Sequence, residues 1–333
     1  MPLSKLSREG VEEAYELIRN KVKKTPVLTS ESISSMVTDN DSASSTLFFK
    51  CENFQKGGAF KFRGATHAIE KLTPDELKNG VITHSSGNHA QALAIAAKAK
   101  GVKAYIVMPS NSAQPKIEGT KGYGGEVYFS GPSAAERESM TAMIQQQTGA
   151  KLIPPYDNPD IILGQGTTLL ELLSQVEENF GKKLDAVVVP VGGGGLLAGC
   201  ALAAQGTGVR VFAAEPAAAD DCYRGIAAGK RVPTVATTTV ADGLRTPVGV
   251  INFPIIQQYV EAVFTVTEAE IVAAMRLIWE RMKIIVEPSS AVPLAVVMSD
   301  RWRSIGVKGN IGLIVSGGNI DMNLIGPLLS SAC

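Results

Sequence analysis

The sequence predicts an α/β protein whose parallel sheets are covered by helices on both faces. Two observations carry that expectation. Short, nearly continuous apolar runs recur along the chain, at 46–51, 81–84, 104–108, 126–130, 151–153, 186–190, 209–214, 263–267 and 311–315. Between most of them lie Ala- and Leu-rich stretches of helical length, and such strand–helix alternation marks parallel sheets buried on both sides. No internal repeat, low-complexity segment or long linker interrupts the pattern. At 333 residues the chain has room for two domains. A division must come from chain crossings, and we expect a smaller lobe at 76–157 inserted into a larger one formed by 1–75 and 158–333.

Taken in order, residues 8–23 carry a helical pattern that stops before Pro26. Residues 26–30 read as extended and 46–51 as a strand. A loop over 52–58 leads into a helix from about Phe60 to Leu72. From there strands and helices alternate to the end, with Pro154-Pro155 near the return from the smaller lobe.

Composition excludes several classes. Hydrophobic residues make up 45% and the formal net charge is 0, which gives no electrostatic reason to expect nucleic acid or a membrane surface. No apolar run reaches the ~18 residues of a membrane helix. The first nine residues do not read as a signal peptide. Cys51, Cys200, Cys222 and Cys333 show no C-x-x-C spacing and read as reduced thiols of a cytoplasmic protein.

Five stretches could carry chemistry. Lys61 stands between two aromatics in Gly58-Ala59-Phe60-Lys61-Phe62-Arg63-Gly64. A buried lysine has its pKa lowered, which frees the amine as a nucleophile toward a carbonyl; the bland reading is a snorkelling lysine at a helix start. Gly192 to Gly195 follow the run at 186–190 and precede a helix. Four glycines there leave backbone N–H groups open to a phosphate, though a tight turn would also use glycine. Thr83 to Gln91 opens an Ala-rich helix with small hydroxyls, a place for a carboxylate. In it Ser86 is an N-cap or an acid/base hydroxyl, and His89 alone reads as structural. Ser316-Gly317-Gly318-Asn319 ends the last strand and suits contact with a flat ligand, or is a plain turn. Glu215, Asp220 and Asp221 cluster carboxylates at a strand end, as a hard cation or merely a solvated loop would have them.

These motifs together resemble the fold-type II pyridoxal-phosphate enzymes, of the tryptophan synthase β-like fold, with two parallel-rich twisted sheets in a large and a small domain. Within them the chain is most similar to the serine racemase and serine/threonine dehydratase family, plant-type eukaryotic members in particular. The resemblance runs through the Lys61 stretch, His84 to His89, Gly192 to Gly195, Ala214 to Asp221, Ala241-Asp242-Gly243, Glu287-Pro288-Ser289 and Ser316 to Asn319.

The resemblance implies a set of roles. Lys61 carries pyridoxal 5'-phosphate as a Schiff base and acts as base on one face of the substrate Cα, with Ser86 on the opposite face. Gly192, Gly193, Gly194, Gly195 and Leu196 bind the phosphate, Asn88 the ring hydroxyl, and Phe60, Gly243, Glu287 and Ser316 complete the cofactor site. Ser85, Ser86, Gly87, Asn88, His89 and Arg137 bind the amino-acid substrate. Glu215, Ala219 and Asp221 match a divalent-metal site for Mg²⁺, Ca²⁺ or Mn²⁺. The implied activity is interconversion of L- and D-serine with serine dehydration, in a homodimer. Gln91, Tyr123, Arg281, Met282 and Lys283 match an ATP effector pattern, but Glu31 and Gly57 stand where ATP binders carry hydroxyls, and Glu31 would repel phosphate.

Rival readings remain at this stage. One is a dehydratase for threonine or 3-hydroxyaspartate. A second is a nicotinamide oxidoreductase, since Gly193-x-Gly195-x-x-Ala198 with Glu215 about 20 residues on fits a dinucleotide fingerprint. A third is a non-catalytic ligand-binding descendant.

Overall fold

Ten strands alternate with helices in the computed structural model, which describes residues 5–37, 45–85, 87–234 and 238–330. Ser86 and Cys333 lie outside the described residues. The strands are β1 (Val27–Thr29), β2 (Thr46–Cys51), β3 (Val81–His84), β4 (Ala104–Pro109), β5 (Glu126–Ser130), β6 (Lys151–Leu152), β7 (Ala186–Pro190), β8 (Arg210–Pro216), β9 (Ala262–Val266) and β10 (Asn310–Val315). They form two sheets. Six strands run in the order β1-β2-β10-β7-β8-β9, and four run β5-β4-β3-β6. The smaller sheet is drawn entirely from residues 81–152.

Pairing is parallel except at one edge, where β1 runs antiparallel to β2. The central strands carry the apolar signal because helices cover both faces. Ala186 to Pro190 of β7, for example, are all buried. The sheet's two faces head two separate cores, one with Val187, Val189 and Val211, the other with Ala186, Val188 and Phe212. Alternate side chains of one strand thus point into opposite cores.

Three local features position the site. Gly57 and Gly58 both take the left-handed conformation at φ 73°, turning the chain sharply into the helix Lys61–Glu70. The isolated bridge Ala59–Gly317 and the bond from Phe60 N to Ser316 O (3.0 Å) then tie that helix start to the end of β10. The third feature is a buried charge cluster. Arg63 Nε and Nη2 each donate at 2.8 Å to the two oxygens of Glu52, and Nη1 and Nη2 donate at 2.9 and 2.7 Å to those of Glu171. Lys50 Nζ donates to Glu171 at 2.8 Å, to Gln175 at 2.7 Å and to the Thr25 carbonyl at 2.9 Å. Lys50, Glu52, Arg63 and Glu171 are all buried, and two positive charges meet two negative ones.

Candidate active site

The site is assembled around the Lys61 amine. Lys61 is half-buried, and burial lowers its pKa to about 8 against the opposing pull of Glu287. An amine in that range keeps a far larger neutral fraction near physiological pH than an ordinary lysine, and the neutral form is the nucleophile or base. Its Nζ donates at 2.7 Å to the Pro155 carbonyl and lies 5.1 Å from the centre of the Phe60 ring. Sequence reasoning foresaw the lysine but missed the strap 153–157. That strap also takes His89 Nε2 on the Ile153 carbonyl (3.2 Å), and it caps residues 250 and 251 with Asp157.

Tyr156 of the strap covers the glycine loop. A Cβ on Gly193 would run into the Tyr156 ring, and one on Gly195 would come within 2.9 Å of the Tyr156 carbonyl. A Cβ on Gly192 would meet Leu244 Cα at 2.8 Å, so the loop is glycine because its neighbours press on it. Gly194, at φ 88°, is the N-cap of the helix Gly195–Ala203, which has no side-chain cap among the described residues. Its first-turn N–H groups therefore remain open toward an anion. Asn252 Nδ2 (2.6 Å) and Gly249 N (3.0 Å) both hold the Gly193 carbonyl. Leu196 is buried behind the loop.

On the opposite wall the helix Asn88–Lys100 begins at Gly87, again with no side-chain cap among the described residues. The cap position is Gly87 and not the Ser86 considered from sequence. Ser85 accepts from Gly87 N at 3.3 Å. His89 is fully inside. Burial and the nearby Lys61 push its pKa down to about 3, so the ring is neutral, its Nε2 donating to Ile153. His89 Nδ1 is buried with no partner among the described residues. Asn88 Nδ2 donates to Glu287 Oε1 at 2.8 Å. Burial and Asp242 raise the Glu287 pKa to about 7, Lys116 and Asn88 opposing, and its Oε2 has no partner among the described residues.

Ser316 at the end of β10 lies 3.1 Å from Ser290 Oγ, which donates its only hydrogen to the Gly317 carbonyl (2.6 Å). Ser316 must therefore be the donor of that pair. Gly243 stands beside them, its N–H donating to Ser289 Oγ at 3.0 Å. Arg137 lies apart, on the helix Ala134–Thr148. Burial and the charge of Arg137 lower the His84 pKa, but no hydrogen bond among the described residues ties Arg137 to the Lys61 cluster.

Glu215 and Asp221 lie behind the glycine loop. Glu215 accepts from Cys222 N and Tyr223 N, both at 2.8 Å, and Asp221 Oδ2 from Val248 N at 2.8 Å. Burial raises the two carboxyls to about 8 and about 6.

A half-buried amine of lowered pKa, an anion cradle at a helix start, and polar atoms of His89 and Glu287 without partners among the described residues fit a phosphorylated aldehyde cofactor. The comparison with known proteins decides the matter: residues 18–317 match the family described as pyridoxal-phosphate dependent enzyme. The chain belongs to this family. The nicotinamide alternative is thereby set aside. Serine racemase of Dictyostelium discoideum is 45% identical over 334 residues, covering 99% of each chain. The crystal structure of that organism's serine racemase superposes with a TM-score of 0.88, covering 95% of this chain and 99% of the other. The beta-hydroxyaspartate dehydratase of Paracoccus denitrificans is 42% identical, over 93% of this chain and 95% of its own length. The fold is accordingly that of the fold-type II pyridoxal-phosphate enzymes.

Proposed function

We propose that the chain is a serine racemase that interconverts L- and D-serine and also dehydrates serine to pyruvate and ammonia. The observation that carries the reading is the half-buried Lys61 amine, lowered to about 8, in a chain 45% identical end to end to a serine racemase.

Lys61 would hold the cofactor covalently, with Gly192 to Leu196 around its phosphate, Asn88 at its ring oxygen, Ser316 at its ring nitrogen, and Phe60, Gly243 and Glu287 beside it. When bound, the cofactor supplies an electron sink for the pair left on Cα once the α-proton departs. Ser85, Gly87 and the helix-start N–H groups of Asn88 and His89 would orient the substrate carboxylate, and the resemblance adds Arg137 to them. The Lys61 amine removes the Cα proton from one face and can return it there. Ser86, assigned by the resemblance alone, would deliver a proton to the other face, which inverts the centre. Dehydration requires only Lys61 and departure of the β-hydroxyl as water. Tyr156 and the strap close the phosphate side against solvent.

The similarity to a beta-hydroxyaspartate dehydratase favours a second reading, a dehydratase acting on 3-hydroxyaspartate or threonine. Incubation with L-serine, L-threonine and 3-hydroxyaspartate, followed by chiral amino-acid analysis and keto-acid detection, separates the two. D-serine formed from L-serine supports the racemase; keto acid from the other substrates without any D-serine refutes it.

The same reading places Mg²⁺ or a similar hard cation at Glu215, Asp221 and the Ala219 carbonyl. Two buried carboxyls held above their usual pKa fit that role. It also makes residues 76–157 the smaller lobe, and pairs two chains as a homodimer. Glu31, exposed on its helix, speaks against an ATP effector.

A further inference from the structure

The side chain of Asn319 has no role in the reading above, yet it anchors a relay. Its Nδ2 donates to the Gly57 carbonyl at 2.8 Å and to Asn88 Oδ1 at 2.9 Å. A carbonyl oxygen can only accept, so Gly57 dictates which end of the Asn319 amide is nitrogen. The Asn88 atom facing that nitrogen must then be oxygen, which turns Asn88 Nδ2 toward Glu287 Oε1 at 2.8 Å. One hydrogen of that NH₂ is used on Glu287. Asn88 keeps a second N–H to offer, while its oxygen is engaged.

The surrounding backbone is shaped to keep this arrangement. The left-handed turn at Gly57 aims its carbonyl at Asn319. A Cβ on Gly58 would come within 2.5 Å of Asn319 Oδ1, and Gly318 N donates to the Gly58 carbonyl at 2.9 Å.

We propose that Asn319 is a positioning residue that makes Asn88 present a donor, not an acceptor, to the cofactor's ring oxygen, and so selects the bound form in which that oxygen is anionic. The inference rests on the pyridoxal-phosphate reading of the site. A donated N–H stabilises the anion, whereas an acceptor at the same place would stabilise the protonated oxygen. The two forms differ in colour: the anionic-oxygen tautomer absorbs in the visible, the neutral one in the near ultraviolet.

The test compares absorbance spectra of loaded wild type, Asn319→Asp, Asn319→Ala, Asn88→Ala and the double variant Asn88→Ala/Asn319→Ala, with circular dichroism to check the fold. Asn319→Asp keeps the shape but cannot donate to Gly57 or Asn88. The visible-to-near-ultraviolet ratio is expected to fall about tenfold in both Asn319 variants, the worth of one charge-assisted hydrogen bond. Asn88→Ala should fall as far, and the double variant no further, because Asn319 acts only through Asn88. An unchanged ratio in a loaded Asn319 variant, or additive shifts in the double variant, overturns the proposal. Loss of fold in both Asn319 variants while Asn88→Ala folds and loads also overturns it, since Asn319 would then be purely structural. A wild type with neither band refutes the cofactor reading itself, a result distinct from the others.

Discussion

Replacing Arg63 by methionine tests whether the buried charge cluster holds the catalytic helix in place. Arg63 is two residues from Lys61 and makes bidentate contacts to both Glu52 and Glu171. Without the guanidinium, two buried carboxylates share the single charge of Lys50. Removing one partner of a buried pair costs about 3–5 kcal/mol, and with two carboxylates stranded the upper end applies. That loss should lower Tm by on the order of 10 °C. Adding Glu52→Gln to Arg63→Met restores neutrality and should recover half or more of the loss. Burial alone would raise the Glu52 pKa, but Arg63 outweighs it and holds Glu52 below its ordinary value. The stability this gives is full above pH 4.5 and is lost as pH falls through the folded pKa. The deficit of Arg63→Met should therefore shrink toward low pH. Thermal melts from pH 4 to 8, read by circular dichroism together with cofactor content, measure all of this. A deficit below about 1 kcal/mol, the value of an exposed ion pair, would refute the argument.

Four further outcomes are expected. Lys61→Ala should lose the cofactor's visible absorbance and both activities; a borohydride-reducible adduct on another lysine would contradict the assignment. Ser86→Ala should lose D-serine formation and keep L-serine dehydration, and equal loss of both, seen by measuring D-serine and pyruvate, would make Ser86 a carboxylate-binding residue instead. EDTA should lower Tm and added Mg²⁺ restore it, by about 2.7 kcal/mol when the ion is at a hundred times its Kd; no response leaves Glu215 and Asp221 without a metal role. Glu287 holds its proton more tightly in the fold, with a pKa of about 7 against 4.5. Its contribution is thus full below pH 4.5 and lost as pH rises to about 7, and Glu287→Gln should flatten melting curves of the cofactor-free protein across that window.

Most strands were legible because they are nearly continuous apolar runs, and β2, β3, β5 and β7 fall where the sequence places them. The edge pairing of β1 was not legible, since three residues after a proline carry no signal for direction. Lys61 and Gly192 to Gly195 stood out because their residue types are costly or unusual in place. Tyr156 and Asp157 did not, and Asn319 was read only as part of the Ser316 turn, not for its side chain. Each looks ordinary in its own segment, and each acts across a long sequence separation, as when Asn319 reaches Gly57 and Asn88. Arg63 was visible as a charge in an apolar helix, but its partners Glu52 and Glu171 come from a loop and from the long helix Pro159–Phe180, which local pattern cannot join.

The joining of Gly57 to Asn319 has a consequence for synthesis of the protein. The residues that complete the Lys61 centre lie far apart in sequence, Asn319 being 262 positions from Gly57, and the Ala59–Gly317 bridge closes them together. A ribosome must release the chain through residue 317 before that bridge can form, so until then the growing chain carries a lysine, a glycine loop and a helix start but no finished centre. Contacts this far apart in sequence are slow to close and come late in folding. Reactive chemistry is thereby withheld until Gly317 has been made, and a product truncated before residue 317 lacks the clasp that closes the centre.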